Sequence, residues 1–556
     1  MKFERAIPFA VAAATFAAIV IVVSAFASGT QPKSSQSDQD KTEAPASGYF
    51  KPEEVKSTGL VKAGGVSVDY EAHAGTIVVH PKGWDDVPAK AEKEDKEKSE
   101  KAADGTSENP TAEASMFYVA YFKRDSRAKE RPVMFLFNGG PGSSTIWLHM
   151  GAFGPRRVVT PSDTHLPAAP YQLVDNAWSL LDVSDLVFID APGTGFSRIA
   201  GKDKEKSFYG VDQDAYAFSE FIVQFLSKYG RWNSPKYLFG ESYGTTRNGA
   251  LINVLENDRS VDFNGVIMLS QILNFDLSAD EPQFNPSVDL PYQLALPTYA
   301  ASAWYHHKLP KASKDLQPFL NEVENFAMTE YGLALQAGAN LPLARRDAIA
   351  NKLHDYTGLP VAYIKKADLR INGGEFEKTL QDDTGTTTGR LDTRFSGPTL
   401  DPLSKEADYD PQSSAISSGY VSAFNAYVRK TLKYGEGKVH KPGIDVFRTW
   451  NYLHQAPGAP IPMPIATNVM PDLAAAIIQN PNLKVMLTGG YFDLATPFYE
   501  GIYEMKHLAI PAKLQSNIEY AYYPSGHMIY ANQDSLKTLH DNVADFIRRT
   551  DNISPK

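Results

Sequence analysis

Six times along this chain a short, mostly apolar run ends abruptly in glycine or small polar residues. Val133 to Phe137 leads into Asn138-Gly139-Gly140-Pro141-Gly142, Leu186 to Ile189 into Asp190-Ala191-Pro192-Gly193, and Tyr237 to Phe239 into Gly240-Glu241-Ser242-Tyr243-Gly244. Further on, Val266 to Leu269 leads into Ser270-Gln271, Val485 to Leu487 into Thr488-Gly489-Gly490, and Ile518 to Tyr523 into Pro524-Ser525-Gly526-His527. Such runs suit strands buried on both faces, which means a parallel sheet covered by helices. The pattern predicts an α/β fold with a mostly parallel central sheet and helices on both faces. Sheets of this kind collect functional groups at the carboxyl ends of their strands. All six polar clusters fall there.

Composition narrows the chemistry. With 556 residues, 43% of them apolar, the chain has room for about three domains, or for one large enzyme fold with insertions. Asp plus Glu outnumber Lys plus Arg by 65 to 55 and no long basic run occurs, which argues against a nucleic-acid partner. Cysteine is absent, so disulfides, thiolate nucleophiles and Cys-ligated metals are excluded together. Any nucleophile is an oxygen or a nitrogen. His306 and His307 are adjacent and would point to different faces of a helix, a poor metal pair; no metal or cofactor is expected.

The ends read differently from the middle. Lys2 and Arg5 precede a stretch, Ala6 to Pro32, without a charged residue, and Ala25-Phe26-Ala27 has the small-x-small form of a cleavage site. Residues 1–27 are expected to be an export signal or a membrane anchor, which places the body in the periplasm or outside the cell. Residues 28–48 are a flexible linker by composition. From Lys90 to Lys101, ten of twelve residues are charged, five of each sign, as in a solvated loop spanning about 88–115. Val66 to Tyr70, Gly75 to His80 and Met116 to Lys123 are expected as antiparallel strands around it.

Gly240-Glu241-Ser242-Tyr243-Gly244 fits G-x-S-x-G, in which glycines permit the sharp strand-to-helix turn that exposes a nucleophilic serine. A serine needs a histidine base and a carboxylate to orient it, and in this fold class they follow in the order serine, acid, histidine. His527 follows the last strand, and Asp493 follows the strand before it. Asp190 precedes the serine and reads as a loop-fixing acceptor; His354, His440, His454, His507 and His540 read as surface or satisfied core residues. Tyr243 and the Gly139-Gly140 loop are the expected sources of the two N–H donors for an oxyanion.

The blocks Asn138-Gly-Gly-Pro-Gly-Ser-Ser, Gly240-Glu-Ser-Tyr-Gly, Gly490-Tyr-Phe-Asp493 and Gly526-His-Met, in that order, resemble the serine carboxypeptidases, α/β-hydrolase peptidases that remove C-terminal residues. Asp190-Ala-Pro-Gly-Thr-Gly-Phe-Ser197 looks like a further family segment shortened by one residue. The resemblance implies an α/β-hydrolase fold with Ser242, Asp493 and His527 as catalytic triad, and Gly140 and Tyr243 as oxyanion donors. It also implies that Asn138 and Glu241 bind the substrate's terminal carboxylate, and that Met528 lines the site of the leaving residue. A mainly helical cap is expected over residues 281–440, inserted between core segments 49–280 and 441–556. Three departures stand out: Ala152 occupies the position of a family Glu that shares a proton with the Glu before the nucleophile, Tyr491 replaces an Asp, and the family's disulfides are absent. Should Glu241 not touch that carboxylate, Arg156, Arg157 and Arg247 are the candidates to take over its recognition. A serine-type carboxypeptidase acting on peptides through an acyl-enzyme is the expected function. A related esterase, amidase or acyltransferase is the alternative, and a non-catalytic binding protein a third reading. Side-chain preference and oligomeric state are not readable from the sequence.

Overall fold

In the computed structural model, residues 50–84, 112–311 and 315–553 are described. The expected export segment, the linker and the charged stretch Lys90–Lys101 lie outside them. Strands β1 (Glu54–Ala63), β2 (Val66–Val79) and β3 (Glu113–Lys123) form an antiparallel meander. Then come β4 (Val133–Phe137), the small hairpin of β5 (Arg156–Val158) and β6 (Leu173–Asp175), β7 (Asp185–Ile189), and β8 (Arg198–Ala200), which pairs with the edge of β3. β9 (Lys236–Glu241) and β10 (Gly265–Leu269) follow; β11 (Thr386–Thr388) and β12 (Ser396–Pro398) pair with each other, and β13 (Lys484–Gly490) and β14 (Ile518–Tyr523) complete the set.

The main sheet runs β1-β2-β3-β7-β4-β9-β10-β13-β14, and the six strands from β7 to β14 are parallel. All six apolar runs identified in the sequence lie in these strands, and the arrangement is that of an α/β hydrolase. Alternation along the strands divides the core in two. Met134, Leu136, Leu186 and Phe239 face one layer with Tyr420, Phe424, Leu539 and Phe546; Val133, Phe135, Val187 and Leu238 face the other with Phe218, Phe221, Leu251 and Ile477. A period of two thus serves helices on both sides.

Three expectations need correction. The strands expected at 66–70 and 75–80 are one strand, because Glu71 to Ala74, which lack β-forming side chains, are paired on both sides by β1 and β3; ladder context overrides propensity there. Glu113 to Ser115, assigned to the charged loop, begin β3. The region 281–440 is not uniformly cap. Helices Leu290–Tyr305, Leu316–Phe326, Leu343–Thr357, Val361–Lys366 and Gly373–Thr379 share a separate apolar cluster with Phe492, Leu494 and Phe498. Helix Pro411–Lys430 instead buries Ile416, Tyr420, Phe424 and Tyr427 against the main sheet layer. Its aromatic face needs a sheet to cover it.

Candidate active site

Ser242 sits between β9 and helix Tyr243–Asn253 with φ 62° and ψ −131°. The flanking glycines make that turn possible: a Cβ on Gly240 would lie 2.1 Å from the Gly244 carbonyl oxygen, and one on Gly244 would lie 2.9 Å from that of Phe137. Neither position admits a side chain. The Ser242 N–H donates to Leu269 O at 2.9 Å, tying the turn to β10. Ser242 itself is half-buried, between the enclosed Glu241 and Tyr243.

His527 and Asp493 come together from the ends of β14 and β13. His527 Nδ1 donates to Asp493 Oδ2 at 2.8 Å, and both side chains are buried. Asp493 also accepts from Thr496 N at 3.0 Å and Thr496 Oγ1 at 2.6 Å. A carboxylate held by three donors fixes the ring's tautomer, leaving Nε2 as the proton acceptor. Burial disfavours the charged ring, yet the neighbouring carboxylates of Asp493 and Glu241 outweigh it and hold the His527 pKa above the ordinary value of 6.5. Gly490 lets the two loops touch, since a Cβ there would meet Ser525 O at 2.1 Å.

A segment that sequence reasoning passed over braces both loops. Arg390 O accepts from Leu494 N and Ala495 N, each at 3.1 Å; Leu391 O accepts from His527 N at 2.6 Å; and Asp392 Oδ2 accepts from Gly526 N at 3.1 Å. Arg394, paired with Asp392 at 2.6 Å, donates to Pro524 O at 3.0 Å. These bonds are mostly backbone bonds from an irregular loop, so neither a motif nor a periodicity announces them.

The glycine-rich loop closes on the nucleophile turn. An ideal Cβ on Gly139 would fall 2.4 Å from Tyr243 N and 2.5 Å from Gly244 N, so only glycine lets this loop pack against the nucleophile turn. Gly140 adopts φ 111° and is exposed. Two amides of adjacent loops beside a half-exposed serine can accept an oxyanion. Asp190 Oδ1 accepts from Thr145 N at 2.8 Å, fixing the far end of the loop, as expected of an acceptor with no catalytic task; burial raises its pKa to about 6.

Glu241 is enclosed, and burial raises its pKa to about 7, against the influence of His527, Tyr530 and Asn138. Asn138 Oδ1 is occupied by Leu148 N at 3.1 Å, so its amide group is what serves Glu241 as donor. Met528 is buried in the main core cluster. The three arginine candidates are engaged elsewhere. Arg247 pairs with Asp214 at 2.6 Å and donates to Asn138 O at 2.9 Å, Arg156 pairs with Asp175 at 2.8 Å, and Arg157 donates to Gln533 at 3.1 Å. Of the other histidines, His454 bridges Asp212 and Asp472 at 2.5 and 2.7 Å, and His306 is bonded to Thr393 O at 2.6 Å. A cleft of about 760 Å³ in the cap holds Asp289, Gln293 and Arg370, but Arg370 is already paired with Asp289 at 2.7 Å.

Comparison with known proteins matches residues 93–274 to the serine carboxypeptidase family. Over this segment, about a third of the chain, it is similar to the serine carboxypeptidases. The pheromone-processing carboxypeptidase KEX1 of Cryptococcus gattii is 32% identical over 133 residues, 24% of this chain and 18% of the relative. A serine carboxypeptidase, ctsa-3.2, of Caenorhabditis elegans is 28% identical over 185 residues, 31% of this chain and 33% of the relative. These matches span a third or less of either relative's length. A solved proline iminopeptidase from Mycobacterium smegmatis aligns with 79% of this chain and 96% of its own at 11% identity and a TM-score of 0.33; the fold assignment rests on strand order, not on that likeness. The matched segment contains the Asn138 loop and Ser242, while Asp493 and His527 lie beyond it.

Proposed function

We propose that this protein is a serine-type carboxypeptidase that hydrolyses the C-terminal bond of peptides. The observation that supports the reading is the buried His527–Asp493 pair at the ends of β14 and β13, in the same parallel sheet whose β9 ends at the Ser242 turn, with an enclosed acid, Glu241, next to the serine and influenced by His527. In this reading Ser242 Oγ attacks the scissile carbonyl carbon as its proton passes to His527 Nε2. The amides of Gly140 and Tyr243 take the oxyanion. His527 then protonates the leaving amine, the acyl-enzyme forms, and water, deprotonated by the same ring, releases the shortened peptide. Glu241, protonated, donates to the terminal carboxylate that marks a C-terminus. Peptides are thus the proposed substrates.

Export is part of the proposal, on the strength of the charge-free run behind Lys2 and Arg5; mass spectrometry of the N-terminus from the native host tests cleavage against anchoring. The activity is tested with blocked dipeptides bearing free or amidated C-termini and with their esters, assayed with wild-type and Ser242→Ala protein. Turnover of free acids ahead of amides, lost in the variant, is expected. Equal turnover of acids and amides would instead favour an esterase or amidase.

A further inference from the structure

Three residues past His527, Tyr530 lies in the short helical turn Ile529–Ala531. Its hydroxyl donates to both oxygens of Glu241, at 3.0 and 2.8 Å, and both side chains are buried. One edge of the ring lies against a glycine of the segment that follows the oxyanion loop: a Cβ on Gly151 would meet Tyr530 Cδ2 at 2.6 Å and Cε2 at 2.7 Å. Gly151 thereby makes the space that the ring fills. Next to it Ala152, fully buried, brings no carboxyl group. The groups that face Glu241 are thus Tyr530 and His527 from the last loop, Asp493 from the loop before it, Asn138 from the glycine loop, and Tyr420 from helix Pro411–Lys430.

We propose that Tyr530 is a specificity-determining positioning residue for the peptide C-terminus: its phenol holds the Glu241 carboxyl in the plane in which it meets the substrate carboxylate. This rests on the carboxypeptidase reading and deepens it. A carboxyl facing an anion must itself carry a proton, or two negative charges oppose each other. A phenol donating to Glu241 favours the ionised form, so it restrains the upward push of burial and sets the pH at which recognition fails. One hydrogen bond shared between both oxygens also prevents the carboxyl from rotating. A second carboxyl group at this place would act in the opposite sense, since two acids sharing one proton raise the pKa of one of them. Tyrosine at 530 therefore gives a free-acid preference that ends at lower pH than a carboxyl pair would allow.

The test is the ratio of kcat/KM for a blocked dipeptide to that of its amide, measured from pH 4 to 9 for wild type and Tyr530→Phe, with the matching ester to show that the variant folds and acylates. The ratio at pH 5 should fall about tenfold or more, the effect of losing a hydrogen bond to an ionisable group. The pH at which the remaining preference disappears should rise, because the phenol no longer favours ionised Glu241. Glu241→Gln provides a second arm: its ratio should lose its pH dependence, and adding Tyr530→Phe should then change it little. A wild-type preference that survives Tyr530→Phe with its midpoint unmoved overturns the proposal alone. A wild-type ratio near one at all pH values overturns the carboxypeptidase reading, and the proposal with it.

Discussion

Ser242 holds a backbone conformation that costs a non-glycine residue about 1–3 kcal/mol, and the enclosing contacts of Gly139, Gly240 and Gly244 hold it there. Such strain is sensible only where the serine's exposure matters. Ser242→Ala and His527→Ala should each lower kcat by about 10⁴-fold or more, and the double variant should be no worse than either, because the members of a triad act as a unit. Additive losses in that cycle would show that the two side chains work apart. The pH profile separates the two titrating groups. With an ester, kcat/KM should rise once, above 6.5, as His527 becomes neutral. With a free acid a second, falling limb should appear as Glu241 loses its proton near 7. Identical profiles for the two substrates would remove Glu241 from recognition. The His527–Asp493 pairing was legible because each residue follows an apolar strand, whereas the Tyr530–Glu241 contact was not: Tyr530 carries no motif, and its partner is 289 positions away.

At the scale of elements, the loops of Asp493 and His527 are held by a neighbour that lies in the cap region by sequence. Residues 390–394 bond to the loops of both Asp493 and His527, and the buried Asp392–Arg394 pair stiffens that segment. Arg394→Met should leave Asp392 buried without its cation and destabilise the protein by about 3–5 kcal/mol, read by urea denaturation. A loss below about 1 kcal/mol would mean that Asp392 finds another partner or is hydrated. Strand positions were readable from apolar runs because burial on both faces leaves a plain signature in composition. The brace was not, since main-chain acceptors in an irregular loop place no demand on side-chain type. The same limit explains why β1 and the middle of β2 escaped notice, for pairing partners rather than intrinsic preference hold them extended.

For the molecule as a whole, the helical layer of 290–379 and the two-layered sheet core have separate apolar clusters, while helix Pro411–Lys430 belongs to the sheet. Its amides between Tyr420 and Val428 should therefore exchange with solvent as slowly as those of β9 and β10, measured by hydrogen exchange. Exchange in step with Leu316–Phe326 would assign it to the cap. The order of chemistry-bearing loops along the chain was legible, because each is anchored to a strand end; the division of the inserted region was not, since a helix pattern alone does not say which layer covers it. In the proposed function these loops form one peptidase site reading a free C-terminus. The direct measurement is a mass-spectrometric time course of a peptide of about ten residues with a free C-terminus, run beside its C-terminal amide and beside Ser242→Ala protein. A ladder of products each shorter by one C-terminal residue, slowed for the amide and absent with Ser242→Ala, is the predicted result. Internal cleavage, or a ladder that persists with Ser242→Ala, would contradict it.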